Sequence, residues 1–317
     1  MSILKSSLKL ASAAFVAITM TSTAALAEFP EKPIKLVVGF RAGGGTDALA
    51  TALSKEMEAV LGQPVVKEIR AGAGGGKAAA SVKTAKPDGY TLVMAVTPTF
   101  AFNPAFAPTK TPYTRDDFDY IESLAKAQEG IYTKADAPYK TWAEMIDYAK
   151  KGNAINYAAV TPFDRLLTKY ISKKEGITMK AVPTKGGSGA MKNVLGGHTE
   201  LGFSGGNHIK HLGQGTITLL ASLRGERLTA SPDVPTMVEL GYPLVFEAHF
   251  LIAGPKGMPA DVRAKLGNAI REASKGQAVR EVLKKLPFEE EQLGADGLTT
   301  AIGEAAARYE DVVAANK

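Results

Sequence analysis

Short apolar runs alternate along this chain with longer segments in which apolar residues recur every three or four positions. That alternation predicts strands interleaved with amphipathic helices. Ile34–Phe40 reads as a strand, and Leu49, Leu53, Val60 and Leu61 fall at helical spacing within 47–61. Gly62 stops that helix and Pro64 bars its continuation. A strand at Val65–Ile69 leads through the glycine run 72–76 into an alanine-rich helix ending near Ala85. After the turn Pro87-Asp-Gly89, Tyr90–Val96 is nearly all apolar and predicts a strand buried on both faces. Residues 97–118 hold four prolines and no period, which predicts a long loop at the cleft edge.

Tyr120–Ala125 resumes a strand. Helix starts follow at the capping box Thr141–Glu144, at Thr161-Pro162-Phe-Asp164 and at a second box, Thr236–Glu239. Gly186-Gly-Ser-Gly189 predicts a turn into a helix capped by Ser188. Short strands fall at Ile155–Ala159, Met179–Val182, Leu201–Phe203 and Thr216–Leu220. From Pro259 the pattern is helical, over 260–274, 278–286 and 298–315. The whole predicts an α/β fold with mostly parallel strands. The strand, glycine turn, helix sequence recurs in both halves, which makes two similar lobes plausible.

The N-terminus changes the setting. Lys5 and Lys9, a short apolar stretch over 10–20 and Ala25-Leu26-Ala27 form a secretory signal with a cleavage site after Ala27. The apolar stretch is too short for a membrane span. Cleavage leaves 290 residues, with 36 basic against 32 acidic side chains, a charge of about +4. The excess is mild and dispersed, which argues against nucleic acid as a partner. There is no cysteine, hence no disulfide and no lipid-modified N-terminal cysteine. No cofactor, metal or catalytic group is expected.

The turn Arg41-Ala42-Gly43-Gly44-Gly45-Thr46-Asp47 joins the first strand to the first helix. Glycines let the backbone approach a ligand, and a helix N-terminus presents unpaired N–H groups, so the turn is an anion cradle. Gly43-x-Gly45-x-x-Ala48, with Glu68 twenty residues further on, also matches a relaxed dinucleotide fingerprint. Export counts against a soluble nicotinamide cofactor. Gly202-x-Ser204-x-Gly206 fits a hydrolase nucleophile elbow, or a turn that shows a ligand its N–H groups and the Ser204 hydroxyl. His208 and His211 share a helix face, read as exposed in the absence of a third metal ligand. Arg41 can bind a carboxylate bidentately or form a rim ion pair, and Lys185 poses the same choice. Trp142, just inside a capped helix, reads as packing.

Several segments together resemble a known family: Pro30-Glu-Lys-Pro33, Gly43-Gly-Gly-Thr-Asp47, Leu61-Gly-Gln-Pro-Val-Val66, Gly72-Ala-Gly-Gly75, Lys86-Pro-Asp-Gly-Tyr-Thr-Leu92, Lys185-Gly-Gly187, Pro232-Asp-Val-Pro-Thr236 and Gly254-Pro-Lys-Gly-Met-Pro259. The chain resembles the extracytoplasmic receptors of tripartite tricarboxylate transporters, the Bug or TctC family, over essentially all of its mature length. The resemblance implies a two-lobed, type II periplasmic-binding-protein fold. Residues 28–127 and 249–317 would form one lobe and 128–248 the other. It implies closure on a small organic carboxylate, delivery to membrane permease subunits, and a monomeric receptor. Carried onto this sequence, the ligand positions are Arg41 to Asp47, Val160, Thr161 and Pro162, and Thr184, Lys185, Gly186 and Gly187. Thr97, Pro98, Thr99, Ser204, Gly205 and His249 would complete the cleft. The family often has proline where Arg41 stands, so Arg41 suggests a directly paired carboxylate. A secreted serine hydrolase using Ser204, and a sensor presenting ligand to a membrane histidine kinase, are the alternative classes.

Overall fold

Two β-sheets organise the chain in the computed structural model, which describes residues 28–286 and 288–316. The expected signal segment, residues 1–27, and its expected cleavage site therefore lie outside the described residues. The chain begins β1 (Ile34–Val38), α1 (Gly45–Leu61), β2 (Val65–Ile69), α2 (Gly76–Lys83), β3 (Thr91–Val96), α3 (Thr97–Phe106) and β4 (Phe118–Lys126). It continues as β5 (Gly130–Lys134), α4 (Trp142–Lys150), β6 (Ile155–Ala159), α5 (Pro162–Glu175), β7 (Met179–Pro183), α6 (Gly186–Leu195), β8 (Leu201–Ser204), α7 (His208–Gly213) and β9 (Ile217–Ser222). It ends with β10 (His249–Pro255), α8 (Ala260–Ser274), α9 (Gln277–Lys285), β11 (Glu289–Glu290) and α10 (Gly294–Ala314).

The first sheet has the order β11-β4-β10-β3-β1-β2 and the second β7-β6-β8-β5-β9. The expected parallel pairing is realised in part of each sheet, β2-β1-β3 and β7-β6-β8. The other pairs are antiparallel, because β10 returns from the second sheet between β3 and β4, and β5 enters it between β8 and β9. The chain passes from the first sheet to the second at 127–129 and back at 246–248. The crossings are tied together: Ala127 N–H donates to Ala248 O (3.0 Å), and Ala248 N–H donates to the Glu129 carboxyl (2.9 Å).

Local chemistry accounts for most element ends. In α1, Leu49, Leu53 and Met57 are buried along one face, and Gly62 closes the helix in the left-handed region at φ 68°. The Thr141–Glu144 box caps α4 as expected. The second box also forms, Thr236 N–H to Glu239 and Glu239 N–H to Thr236 Oγ1, but it closes only one turn. Gly241 at φ 85° followed by Pro243 ends the segment there. Ser188 lies inside the first turn of α6, not at its cap, which is Lys185.

The largest correction is α3. Residues 97–106 are helical, where the missing period predicts a loop. Amphipathic period marks a helix with one wet face. Here Thr97 to Asn103 are all buried, so there is no polar face to record. Pro98 sits in the first turn, where its missing N–H costs nothing. Phe100 meets Phe118 edge-on at 4.9 Å, and Phe102 meets Tyr309 of α10 at 5.1 Å and Phe163 of α5 at 5.6 Å. Phe100 is about 1% exposed. Phe100→Ala should therefore cost about 3–5 kcal/mol in denaturant unfolding. A loss below about 1 kcal/mol would mean that this segment is not a packed helix.

Candidate functional site

β1, β2, β6 and β7 each end in a turn that opens a helix, and those turns face one cleft. This is the crevice outside the carboxyl ends of parallel strands, where α/β folds place ligands. Two adjoining cavities occupy it, of about 840 Å³ and about 440 Å³. They share Phe40, Gly43 to Thr46, Gly74, Val160 to Pro162, Gly187 and Ser188.

The larger cavity is a backbone cradle. It is lined by the 39–46 turn, the glycine loop 71–75, the 159–162 turn and residues 183–188. Arg41, Arg165 and Lys185 supply three positive charges, and no acidic side chain lines it. The first N–H groups of α1 and α6 have no intrahelical partners and add the positive ends of two helix dipoles. The N-terminus of α5 is different. Asp164 accepts the N–H groups of Val160 and Thr161, each at 2.7 Å, and Pro162 has none to give. That helix end already holds its own carboxylate. Burial pushes the Asp164 carboxyl up to about 6, against the lowering effect of those N–H bonds. The helix ends that leave N–H groups open to the cavity are therefore those of α1 and α6.

Other side chains hold the cradle in shape. Asp47 accepts the Gly43 N–H at 2.8 Å and pairs with Lys67, which fixes the loop without lining either cavity. Thr99 Oγ1 donates to Gly74 O at 2.7 Å, and Asn103 donates to Ala73 O at 2.8 Å. Gly75 has φ +87°, and a Cβ there would lie 2.7 Å from Thr99 Oγ1, so only glycine fits.

The smaller cavity is an apolar chamber. Phe40, Phe102, Phe203, Phe246, Phe250 and Phe288 line it, with Val282 and Leu286. Its charged residues are Lys285 and Glu129.

Among the residues expected from sequence, Arg41 to Thr46, Pro98, Val160 to Pro162, Thr184 to Gly187 and Gly205 line these cavities. Asp47, Thr97, Thr99, Ser204 and His249 do not. His249 is buried and joins β10 to the start of α3 through Thr97 Oγ1 at 3.1 Å, and to the segment after β11 through Glu291 at 2.7 Å. Glu68 of β2, the candidate ribose acid, is ion-paired with Lys35 of β1 and with Arg70. The phenylalanines of the chamber, the 71–75 loop, Arg165 and Glu129 were not expected. The phenylalanines come from five separate segments, so no local motif could announce them.

Ser204 is 2.9 Å from His208 Nδ1, a contact reminiscent of a nucleophile and its base. The rest of the geometry opposes that use. Ser204 is fully buried, and its Oγ accepts the N–H groups of Gly206 (3.0 Å) and His208 (3.1 Å) while meeting the Asn207 side chain. It is the cap of a turn. His208 is fully buried rather than exposed, and its Nε2 has no partner to orient it. Burial lowers its pKa to about 4, which makes it a weak base. Among the described residues no group of three or more His, Cys, Asp or Glu could hold a metal ion, and no helix is long and apolar enough to cross a membrane.

Two α/β lobes facing a cleft of glycine turns and helix ends define a periplasmic-binding-protein architecture. The chain belongs to the TctC family, the tripartite tricarboxylate transporter family receptors, whose model matches residues 49–317. It is 32% identical over 289 residues to a protein of the gbd 5′ region in Cupriavidus necator, covering 88% of this chain and 86% of that one. It is 29% identical over 259 residues to BugT of Bordetella pertussis, covering 80% and 79%. Among solved structures it is similar to MatC of Rhodopseudomonas palustris with bound malate, with a TM-score of 0.76, 27% identity, and coverage of 90% of this chain and all of that one. Family and structural neighbours are substrate-binding proteins rather than enzymes.

The buried imidazole gives a pH signature. Unfolded His208 takes up a proton near 6.5 and the folded one only near 4. The unfolded state thus binds more protons between those values, and stability falls as pH drops through them, by up to about 3 kcal/mol. His208→Gln should flatten that part of the stability profile. An unchanged acid limb in the variant would mean that the imidazole is not held neutral.

Proposed function

We propose that this protein is an extracytoplasmic receptor that captures a small organic carboxylate with an apolar body and delivers it to the membrane permease subunits of a tripartite tricarboxylate-type transporter. On this reading residues 1–27 direct export and are removed after Ala27. Residues 28–127 with 249–317, and residues 128–248, move as two lobes about the crossings.

One observation carries the reading: an anion cradle of backbone N–H groups opens directly onto a chamber walled by phenylalanines. The carboxylate would sit at the N-termini of α1 and α6, with Arg41, Thr161, Thr184 and Lys185 around it. Charge-assisted bonds to such donors are worth roughly 1.5–3 kcal/mol each, and more once closure excludes water. The apolar body would fill the chamber, gaining about 25 cal/mol per Å² of apolar surface removed from water. The similar MatC structure holds malate, itself a small carboxylate. The chamber here favours a less polar body than malate has.

A thermal-shift screen of the mature protein against mono-, di-, tri- and aromatic carboxylates tests the proposal. A ligand of the folded state must raise the melting temperature in proportion to the logarithm of its concentration. Carboxylates with an apolar body should give the largest shifts. No shift from any carboxylate, after refolding to strip bound ligand, would refute the receptor reading. With a hit in hand, Arg41→Ala should weaken binding at least about tenfold, roughly 1.4 kcal/mol. Unchanged affinity would remove Arg41 from the site.

A further inference from the structure

Glu129 stands apart from everything else in the cleft. It lies on the crossing from β4 to β5 and borders the apolar chamber. It is 0% exposed. One carboxyl oxygen, Oε1, accepts the Ala248 N–H at 2.9 Å, and the other, Oε2, has no partner. A buried polar atom without a partner is costly unless a ligand supplies one.

We propose that Glu129 selects the far end of the ligand: its carboxyl group, protonated on Oε2, donates a hydrogen bond to an oxygen acceptor carried at the end of the apolar body. This inference rests on the carboxylate-receptor reading and narrows it. The ligand is then a carboxylate whose other end is a carbonyl, an ester or a second carboxyl group, and not an ammonium. Oε1 is committed as an acceptor, so the proton belongs on Oε2. Burial pushes the carboxyl up to about 8, so it is mostly neutral at pH 7. Arg224 and Glu247 act on it from opposite sides of the balance. Arg224 pairs with Glu226 and Glu289 through its terminal nitrogens, its Nε has no partner, and its charge draws the Glu129 carboxyl down against burial, while Glu247, paired with Lys126 and Arg308, pushes it up. Burial pushes the Tyr309 hydroxyl of α10 up, and burial holds the His249 imidazole below its ordinary range against the pull of the Glu291 carboxylate. Lys285, the last residue of α9, also lines the chamber and is exposed.

The test uses the full mature chain and matched probes: para-ethylbenzoate, its near-isostere para-acetylbenzoate, and para-aminomethylbenzoate, with hexanoate and monomethyl adipate as an aliphatic pair. Dissociation constants are measured by calorimetry from pH 6 to pH 9. The acceptor-ended member of each pair should bind about tenfold more tightly than its hydrocarbon partner below pH 8, and that advantage should vanish as pH rises through about 8. The aminomethyl probe should show no such advantage at pH 7. Glu129→Gln, which keeps a neutral donor, should retain the preference at all pH values, and Glu129→Leu should abolish it. Equal affinities within both pairs, an advantage indifferent to pH in the wild-type chain, or tightest binding of the aminomethyl probe would overturn the role of Glu129 while leaving the receptor reading standing. Failure of every probe would overturn both. The wild-type pH series decides the matter even if Glu129→Leu does not fold.

Discussion

An α-helix leaves its first N–H groups without partners inside the helix, and the site of this protein is built on where those groups are left open. α1 and α6 begin at glycine turns and leave their N–H groups to the cleft. α5 begins at the same cleft but closes its own N-terminus with Asp164 and Pro162. On the proposed reading, that difference decides where an external anion can sit. Everything around the turns serves to hold them open: Asp47 pins Gly43, Thr99 and Asn103 pin the 73–74 backbone, and Gly75 makes room for Thr99.

The second constraint is the pair of crossings between the sheets. They are hydrogen-bonded to one another, and Glu129 is part of the bond. The residue that borders the inner chamber thus also belongs to the segment about which the lobes would turn. The inner chamber and the crossings are physically adjacent here. An occupant that reaches Glu129 touches the crossing itself, and an occupant that stops at the cradle does not. The aromatic contacts of Phe163 with Phe102, Phe246 and Tyr309 run alongside and join elements of both sheets.

Much of this was legible in the sequence, because the signals were local. The β1 to α1 turn, the Gly62 stop, the Thr141 box and the order of strands and helices each depend on a few neighbouring residues. The residues of the glycine cradle were legible for the same reason. α3 was not, because a helix buried on every side has no polar face and so no period. The antiparallel strands β5 and β10 depend on which strands they insert between, which no local pattern records. Ser204 and His249 carry chemistry-bearing side chains in suggestive contexts, yet both are spent on structure, one capping a turn and the other tying β10 to α3. The phenylalanine chamber and Glu129 assemble from distant segments, and only the fold brings them together.

The most direct test of the account is to watch the backbone amides themselves. In ¹⁵N-labelled protein titrated with a bound carboxylate, the amide resonances of Gly45 and Thr46 in α1 and of Gly187 and Ser188 in α6 should move markedly downfield at saturation, while those of Val160 and Thr161, already bonded to Asp164, should shift less. Saturable binding that leaves the α1 and α6 amides unmoved would contradict the claim that these helix ends hold the anion.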